Sequence, residues 1–388
     1  MFADFVRATP PFGLSVRHHV IIDSPTLAPR FAPIVQGFCA SVSSPTQRWG
    51  IPLPKRPHAL RARRRMQLIR QAKPDLILAW NQFTDFRIAT LQLPCPLIYY
   101  EHGMSWYSHN ARQLQGFLPY VSGALAASHA AKRMLQLKHK TTFPVIECRN
   151  PQPPHTGQGD TQAQSRTLDL RRPLRLGLAG RLVPLKAASL LVLTILELRT
   201  RGVAAEALIC GEGPERHVIE ETIARHKLTN HVRLLGQIED MEKFYRALDI
   251  FISTSMHETC PLVCLEASAH GLPIIASQVD GFPEVVQNGV NGLLLPPRLT
   301  PEHYRKLTSA SIAFSKEVYS PDEDILVPTR LLCPTQIADA ILDITSSKVR
   351  YTRFSQAALH IASSTRTHAQ YIKDIYNHLL KFSETRPH

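Results

Sequence analysis

Apolar and polar positions alternate along the chain in two series of short apolar runs, most of them followed by a mixed, helix-length segment. In the first series, His19-Val-Ile-Ile-Asp23, Asp75-Leu-Ile-Leu-Ala-Trp80, Pro96-Leu-Ile-Tyr-Tyr-Glu101, Ala124-Leu-Ala-Ala-Ser128 and Phe143-Pro-Val-Ile-Glu147 read as strands. The Asp75 and Pro96 runs are continuous rather than alternating, which is the pattern of strands buried on both faces. The second series comprises Leu174-Arg-Leu-Gly-Leu-Ala179, Ala205-Glu-Ala-Leu-Ile-Cys210, Val232-Arg-Leu-Leu235, Ile250-Phe-Ile-Ser253 and Ile274-Ile-Ala-Ser277. Helices are predicted between them, from about Ala187 to Thr200 and after Pro214. Strands alternating with helices argue for an α/β chain with doubly wound parallel sheets.

The two series are separated by a polar, Pro- and Gly-rich stretch from Pro151 to Ser165 without apolar periodicity, which reads as a linker. The predicted division is therefore a first domain over 1–150, a linker over 151–173 and a second domain over 174–364. Residues 298–334 read as an irregular insertion, with Pro301, Pro321, Pro328 and Pro334 breaking the pattern. The tail, 365–388, carries Tyr371, Ile372, Ile375, Leu379 and Phe382 at helical spacing. Met1 to Arg17 shows no clear strand. A length of 388 residues suits two cores that need no disulfide or metal staple.

Charge adds a preference for partners. There are 45 Lys and Arg against 31 Asp and Glu, a formal +14 that favours anionic ligands or surfaces. Residues 55–73 concentrate it in Lys55, Arg56, Arg61, Arg63, Arg64, Arg65, Arg70 and Lys73 without an acidic residue. That segment reads either as a solvated helix face or as a patch for anionic lipid head groups. It lacks interleaved aromatics, and no nucleic-acid recognition module is visible, so nucleic acid is not expected as a partner. No apolar run approaches the ~20 residues of a membrane span. The start has no basic segment leading into an apolar one, so secretion is not signalled. The 7 Cys are scattered and mostly in apolar surroundings, which reads as reduced thiols in a cytoplasmic protein. Cys260 and Cys264 lack a second ligand pair, and Asp322-Glu-Asp324 is a three-residue pattern of the kind that arises by chance; no metal is expected.

Three segments could carry chemistry. In His257-Glu-Thr-Cys-Pro-Leu-Val-Cys-Leu-Glu266, Pro261 suits the first position of a helix, whose free N–H groups at Leu262 and Val263 would make an anion site. Glu258 and Glu266 would lie roughly 12 Å apart along the axis if helical rise held throughout. That is too far for a glycosidase pair, and it suits one elongated ligand. Gly180-Arg181…Lys186 leaves a strand with two cations, Arg able to grip phosphate in a bidentate manner and Lys serving as a point charge. Gly211-Glu-Gly213-Pro follows the next strand; it is not a dinucleotide fingerprint, and it reads as a tight turn that lets a ligand approach the backbone.

With these residues in place, the stretch from about Leu174 to Pro296 resembles the retaining nucleotide-sugar glycosyltransferases of the GT-B fold, family-4 or group 1 type. The matching positions are Gly180-Arg181…Lys186, Gly211-Glu-Gly-Pro214, Leu235-Gly236, Tyr245-Arg-Ala-Leu-Asp249, Ser253-Thr-Ser255, Glu258 and Glu266, His270-Gly-Leu-Pro273, Gly281-Phe-Pro-Glu-Val-Val286 and Gly289-Val-Asn-Gly-Leu293. The first domain matches more loosely, through Lys73-Pro-Asp75, Glu101-His-Gly103, Ala127-Ser128, Lys132 and Asn150-Pro151.

The resemblance implies an opening strand in the first domain, degenerate or missing here over Met1 to Arg17, and two Rossmann-like domains facing a central cleft, with the last helix crossing back onto the first domain. It implies that Arg181 and Lys186 hold the donor diphosphate and that Glu266 takes the ribose hydroxyls. Glu258 and the Cys260–Val263 backbone (Cys260, Pro261, Leu262, Val263) would hold the sugar and β-phosphate, with Gly180, Gly211 and Gly213 also on the donor. His102 would face the sugar. The expected activity is metal-independent transfer of a hexose, with retention, from a nucleoside-diphosphate sugar to a hydroxyl acceptor, without a cofactor. The acceptor would be a saccharide or lipid-linked saccharide, as in polysaccharide or glycolipid synthesis at the inner membrane face. The rival readings are an epimerase or hydrolase of the same fold, or a non-catalytic nucleotide-sugar-binding protein.

Overall fold

A computed structural model describes residues 1–29, 31–48, 51–54, 58–86, 93–151, 164–310 and 315–384. Residues 152–163 of the predicted linker, Lys55–Pro57 of the basic segment and residues 311–314 of the insertion lie outside the described residues. The chain forms two compact units. One comprises Met1–Ala127, Lys138–Asn150 and Thr367–His388, and the other Ser128–Leu137 and Pro151–Arg366. Relative to the division drawn from the sequence, Ser128–Leu137 groups with the second unit and the last helix, His368–Glu384, with the first.

The second unit is built on six parallel strands in the spatial order Val232–Gly236, Ala205–Cys210, Leu174–Ala179, Ile250–Ile252, Ile274–Ser277, Gly292–Leu295. Numbered along the chain this is 3-2-1-4-5-6, the dinucleotide-fold order. The strand Gly292–Leu295 is additional to those predicted; a Gly start and only four residues hide it among turn signals. The helix Ser189–Thr200 is apolar almost all round, and it is buried almost all round: Leu190, Leu191, Val192, Leu193, Ile195 and Leu198 are all in the core. Leu174, Leu176, Leu178, Ile209, Ile250 and Ile275 supply the sheet side of that core. Two helices absent from the sequence reading, Pro334–Ile344 and Lys348–Ser364, close it with Ile337, Ile341, Tyr351 and Phe354.

The predicted irregular insertion is corrected. Among its described residues it holds a helix, Pro301–Thr308, capped by the Thr300 hydroxyl at its N-terminus, and an antiparallel hairpin, Glu317–Ser320 with Ile325–Pro328. The prolines sit at the helix start, the turn and the strand end, where proline is tolerated.

The first unit has a four-stranded parallel sheet in sequence order, Ile77–Trp80, Leu97–Glu101, Gly123–Ala126 and Val145–Glu147. A separate parallel pair joins His19–Ile21 to Ser41–Ser43. Met1–Arg17 contains a short helix, Phe2–Arg7, instead of a strand; its Phe5 and Val6 enter the core with Ile98, Tyr100 and Leu125. Tyr371, Ile372, Ile375, Tyr376 and Phe382 of the last helix fill the same core, and Tyr100 donates to the Tyr371 hydroxyl at 3.2 Å.

Candidate functional site

In the second unit the chain leaves the adjacent strands Leu174–Ala179 and Ile250–Ile252 toward opposite edges of the sheet, since their next strands lie on opposite sides. Their carboxyl ends therefore part and leave a crevice, the usual ligand position of such sheets. Gly180, Arg181 and Lys186 follow the first strand; Ser253 to Glu258 follow the second. The loops are stitched together by the Thr254 hydroxyl, which donates to the Lys186 carbonyl at 2.7 Å, and by the Met256 N–H, which donates to the Leu185 carbonyl at 2.9 Å. After a single 3-10 turn, Pro184–Lys186, Ala187 takes a left-handed conformation and the helix begins.

This geometry brings Lys186 Nζ onto Glu258 Oε1 as an ion pair whose side chains are only 18% and 15% exposed. The Gly281 N–H donates to the Glu258 carbonyl at 2.9 Å and holds its backbone from a third loop. Lys186 is thus paired with a carboxylate, whereas Arg181 is exposed and makes no ion pair with any described residue. An ammonium carries three donors, so pairing with Glu258 leaves Lys186 able to take an anionic oxygen as well.

The missing side chains of Gly211 and Gly213 also let their turn pack against the Gly180–Lys186 loop. A Cβ on Gly211 would lie 1.8 Å from the Gly180 carbonyl oxygen, and one on Gly213 would lie 2.2 Å from that of Leu182. Both have positive φ. Their close approach lets Leu182 N–H donate to Glu212 and Glu215 N–H donate back to Leu182. The Gly180–Lys186 loop is shaped by this contact.

The helix after the second strand runs Leu262–Ala269, with Pro261 as its cap rather than its first residue. Leu262 N–H donates to the Cys260 carbonyl at 2.9 Å, so it is not one of the free donors expected there. Val263 N–H has no backbone acceptor among the described residues. Glu258 lies in the preceding loop, so helical rise does not carry through from Glu258 to Glu266. Cys264 is wholly buried, and desolvation pushes its thiol pKa well up; Cys260 is half-buried. Glu266 is half-buried, and burial raises its pKa while the Tyr245 hydroxyl, donating to its Oε2 at 2.7 Å, opposes the rise.

In the first unit His102 follows the strand Leu97–Glu101. Its ring stacks on Trp80 at 5.1 Å and lies 4.1 Å from Tyr100. Desolvation there pulls its pKa down to about 3, so the imidazole is neutral at physiological pH. Its Nε2 is enclosed and has no hydrogen-bond partner among the described residues. Two side chains fix the loop: Asn81 Oδ1 accepts from the His102 and Met104 N–H groups, both at 3.0 Å. The fully buried Glu101 accepts from the Gly103 N–H, the Ser105 N–H and hydroxyl, and the Tyr99 hydroxyl. A cavity of about 340 Å³ lies past the ends of the His19–Ile21 and Ser41–Ser43 strands, lined in part by Ile22, Leu27, Ala32, Val42, Ser43 and Ser44.

The basic segment is partly structural. Arg61 donates to the Leu53 carbonyl, and Arg65 bonds Asp23 and the Asp85 carbonyl; Arg63, Arg70 and Lys73 remain exposed on and beside the helix His58–Ala72. Asp322 accepts from Gln278 and Asp324 is held by Arg133 and Tyr319. Among the described residues, no group of three or more His, Cys, Asp or Glu is placed to hold a metal, and no helix is long and apolar enough to cross a membrane.

Thr254 and Asn81 were not singled out as site residues by the sequence. Thr254 lay inside a matching motif, and Asn81 stands in a left-handed position right after a strand, where Asn is enriched.

Residues 173–312 match the family model Glycosyl transferases group 1. The chain is 36% identical over 103 residues to a UDP-N-acetylglucosamine--peptide N-acetylglucosaminyltransferase GtfA subunit of Streptococcus agalactiae, covering 26% of this chain and 20% of that protein. It is 28% identical over 210 residues to alpha-monoglucosyldiacylglycerol synthase of Acholeplasma laidlawii, covering 48% and 53%. The chain thus spans between a fifth and about half of the length of these relatives. Among solved structures, Anabaena Alr3699/HepE in complex with UDP and glucose superposes with a TM-score of 0.65 at 19% identity, over 94% of this chain and 91% of that one.

Proposed function

We propose that this chain, which has the GT-B fold and whose residues 173–312 match the group 1 glycosyl transferase model, moves a sugar from a nucleoside-diphosphate sugar to a hydroxyl acceptor with retention. The observation that carries the reading is the meeting of Lys186 and Glu258 at the crevice, beside the start of the Leu262–Ala269 helix. A donor lying there would place its diphosphate against Arg181, Lys186 and the Val263 N–H, and its sugar hydroxyls against Glu258. Charge on the diphosphate grows as the bond to the anomeric carbon breaks. Preorganised cations and N–H groups then stabilise the transition state more than the ground state.

The acceptor oxygen forms the new bond on the same face, and its proton passes to the departing phosphate, so no separate base and no metal are needed. His102, neutral and with a free ring nitrogen, is proposed to hydrogen-bond the transferred sugar. The cavity, where Ile22, Leu27 and Val42 alternate with Thr26, Ser43, Ser44 and the glutamines Gln36 and Gln47, is proposed to seat part of a saccharide or lipid-linked saccharide acceptor. Exposed Arg63, Arg70 and Lys73 favour a peripheral position at an anionic inner membrane surface.

The test is incubation of the full chain with a panel of nucleotide sugars, with and without saccharide and glycolipid acceptors. Acceptor-dependent release of nucleoside diphosphate and a product of unchanged anomeric configuration are expected. Full turnover of donor alone would assign an epimerase or hydrolase instead, and binding without turnover under any acceptor would assign a binding protein.

A further inference from the structure

Glu266 is held in a small assembly that the reaction chemistry above does not use. Tyr245, 1% exposed on the helix Met241–Ala247, donates its hydroxyl to Glu266 Oε2 at 2.7 Å. Oε1 of the same carboxylate has no donor among the described residues. The His270 ring stacks on Tyr245 at 5.0 Å, and its Nδ1 meets the Glu266 carbonyl at 2.8 Å. Behind them the Arg166 guanidinium is bonded to the carbonyls of Tyr245, Leu248 and His270 at 2.9, 2.6 and 2.7 Å. It ties together the ends of the two helices that carry Tyr245 and Glu266.

We infer that Tyr245 is a positioning residue: it fixes the Glu266 carboxylate with one oxygen occupied and presents the other to the vicinal hydroxyls of a nucleoside ribose, so that it sets discrimination between ribo- and 2′-deoxyribonucleoside diphosphates. The inference rests on the proposed donor reading. A carboxylate free to rotate would meet a lone 3′-hydroxyl nearly as well as a vicinal pair. One clamped by a rigid phenol, itself packed under an imidazole, offers its open oxygen in a single direction. Removal of one hydroxyl from the ligand then leaves that oxygen, covered by the bound ligand, without its full set of donors, which is the situation in which polar sites discriminate most strongly.

The test measures binding of UDP, GDP, ADP and CDP and their 2′-deoxy counterparts to the full chain by titration calorimetry, in wild type, Tyr245→Phe, Glu266→Gln and the double variant. For the best-bound base, wild type is expected to prefer the ribonucleotide by about tenfold or more, the loss of one hydrogen bond to a charged acceptor. Tyr245→Phe is expected to compress that ratio to about threefold or less while changing deoxynucleotide affinity by less than about twofold. In the Glu266→Gln background the same change is expected to leave the ratio where Glu266→Gln put it. If Tyr245→Phe weakens both ligands equally, or leaves both unchanged, the inference is overturned. Should the single variant not fold, the comparison of Glu266→Gln with the double variant, which carries no unpaired carboxylate, decides: a further change in the ratio overturns the inference. If wild type binds no nucleoside diphosphate, the donor reading itself fails, and the failure is seen before any variant is compared.

Discussion

The loops at the carboxyl ends of the two parallel sheets solve the same problem with different chemistry. In the second unit the loop residues are charged and complementary: Lys186 meets Glu258, and Arg181, earlier on the Lys186 loop, is exposed. In the first unit the loop presents a neutral imidazole, and its one carboxylate, Glu101, is turned inward and consumed by four donors from Gly103, Ser105 and Tyr99. The first arrangement places charge where a ligand would sit. The second uses charge to hold backbone and leaves a desolvated, uncharged imidazole enclosed beside Trp80 and Tyr100. The difference suits the proposal above, since a diphosphate calls for fixed cations while sugar hydroxyls are well matched by neutral donors and acceptors.

The comparison is broken most readily at Lys186. Lys186→Ala is expected to lower turnover by 10²-fold or more, on the scale of losing one preorganised group from a developing oxyanion, with the deficit in kcat rather than in folding. Steady-state kinetics with nucleotide sugar and acceptor checks this. Equal activity of variant and wild type would remove Lys186 from the site.

Next in size is the backbone contact behind that loop. Gly211→Ala must push a Cβ into the Gly180 carbonyl from a positive φ, and a loss of about 3 kcal/mol or more in unfolding free energy is expected. Urea denaturation measures it; a change below about 1 kcal/mol would show that the two loops are not pressed together as described.

The first unit gives a pH test. His102 has a folded-state pKa of about 3, below its ordinary value near 6.5. The unfolded chain therefore takes up a proton between these values that the folded chain does not, and stability falls as pH is lowered from 6.5 toward 3. The stability-versus-pH slope over pH 6.5 to 5 is expected to be shallower in His102→Gln than in wild type. Parallel slopes would mean that the imidazole is not desolvated between Trp80 and Tyr100.

The smallest effect is expected far from either loop. Gly37, inside the helix Ala32–Phe38, has open space where a Cβ would go, so Gly37→Ala is expected to raise stability by about 0.5–1 kcal/mol. Its contrast with Gly211→Ala separates a glycine kept for contact from one that is merely tolerated. A loss at Gly37 would contradict the open space around it.

The sequence made the second unit's sheet legible because its strands are apolar runs, and Gly180, Lys186 and Glu258 sit in the loops that chain order puts after strand ends. Gly292–Leu295 and the hairpin Glu317–Ser320 with Ile325–Pro328 escaped because four-residue strands bounded by Gly or Pro have no period to detect. The pairings of Lys186 with Glu258 and of Tyr245 with Glu266 join residues 72 and 21 positions apart, and no local pattern encodes which side chains across a crevice will meet. The basic segment teaches the reverse lesson: its charges were plain in the sequence, yet Arg61 and Arg65 are spent on Leu53, Asp23 and Asp85 rather than on a partner.

The central claim, a nucleoside-diphosphate site at the parting of the Leu174–Ala179 and Ile250–Ile252 strands, is tested most directly by calorimetric titration of nucleoside diphosphates into wild type and Arg181→Ala. Saturable binding to wild type of at least one diphosphate, weakened about tenfold or more in the variant by the loss of a charged hydrogen bond, is the predicted result. Absence of binding to wild type by every diphosphate, or binding that Arg181→Ala leaves unchanged, would contradict it.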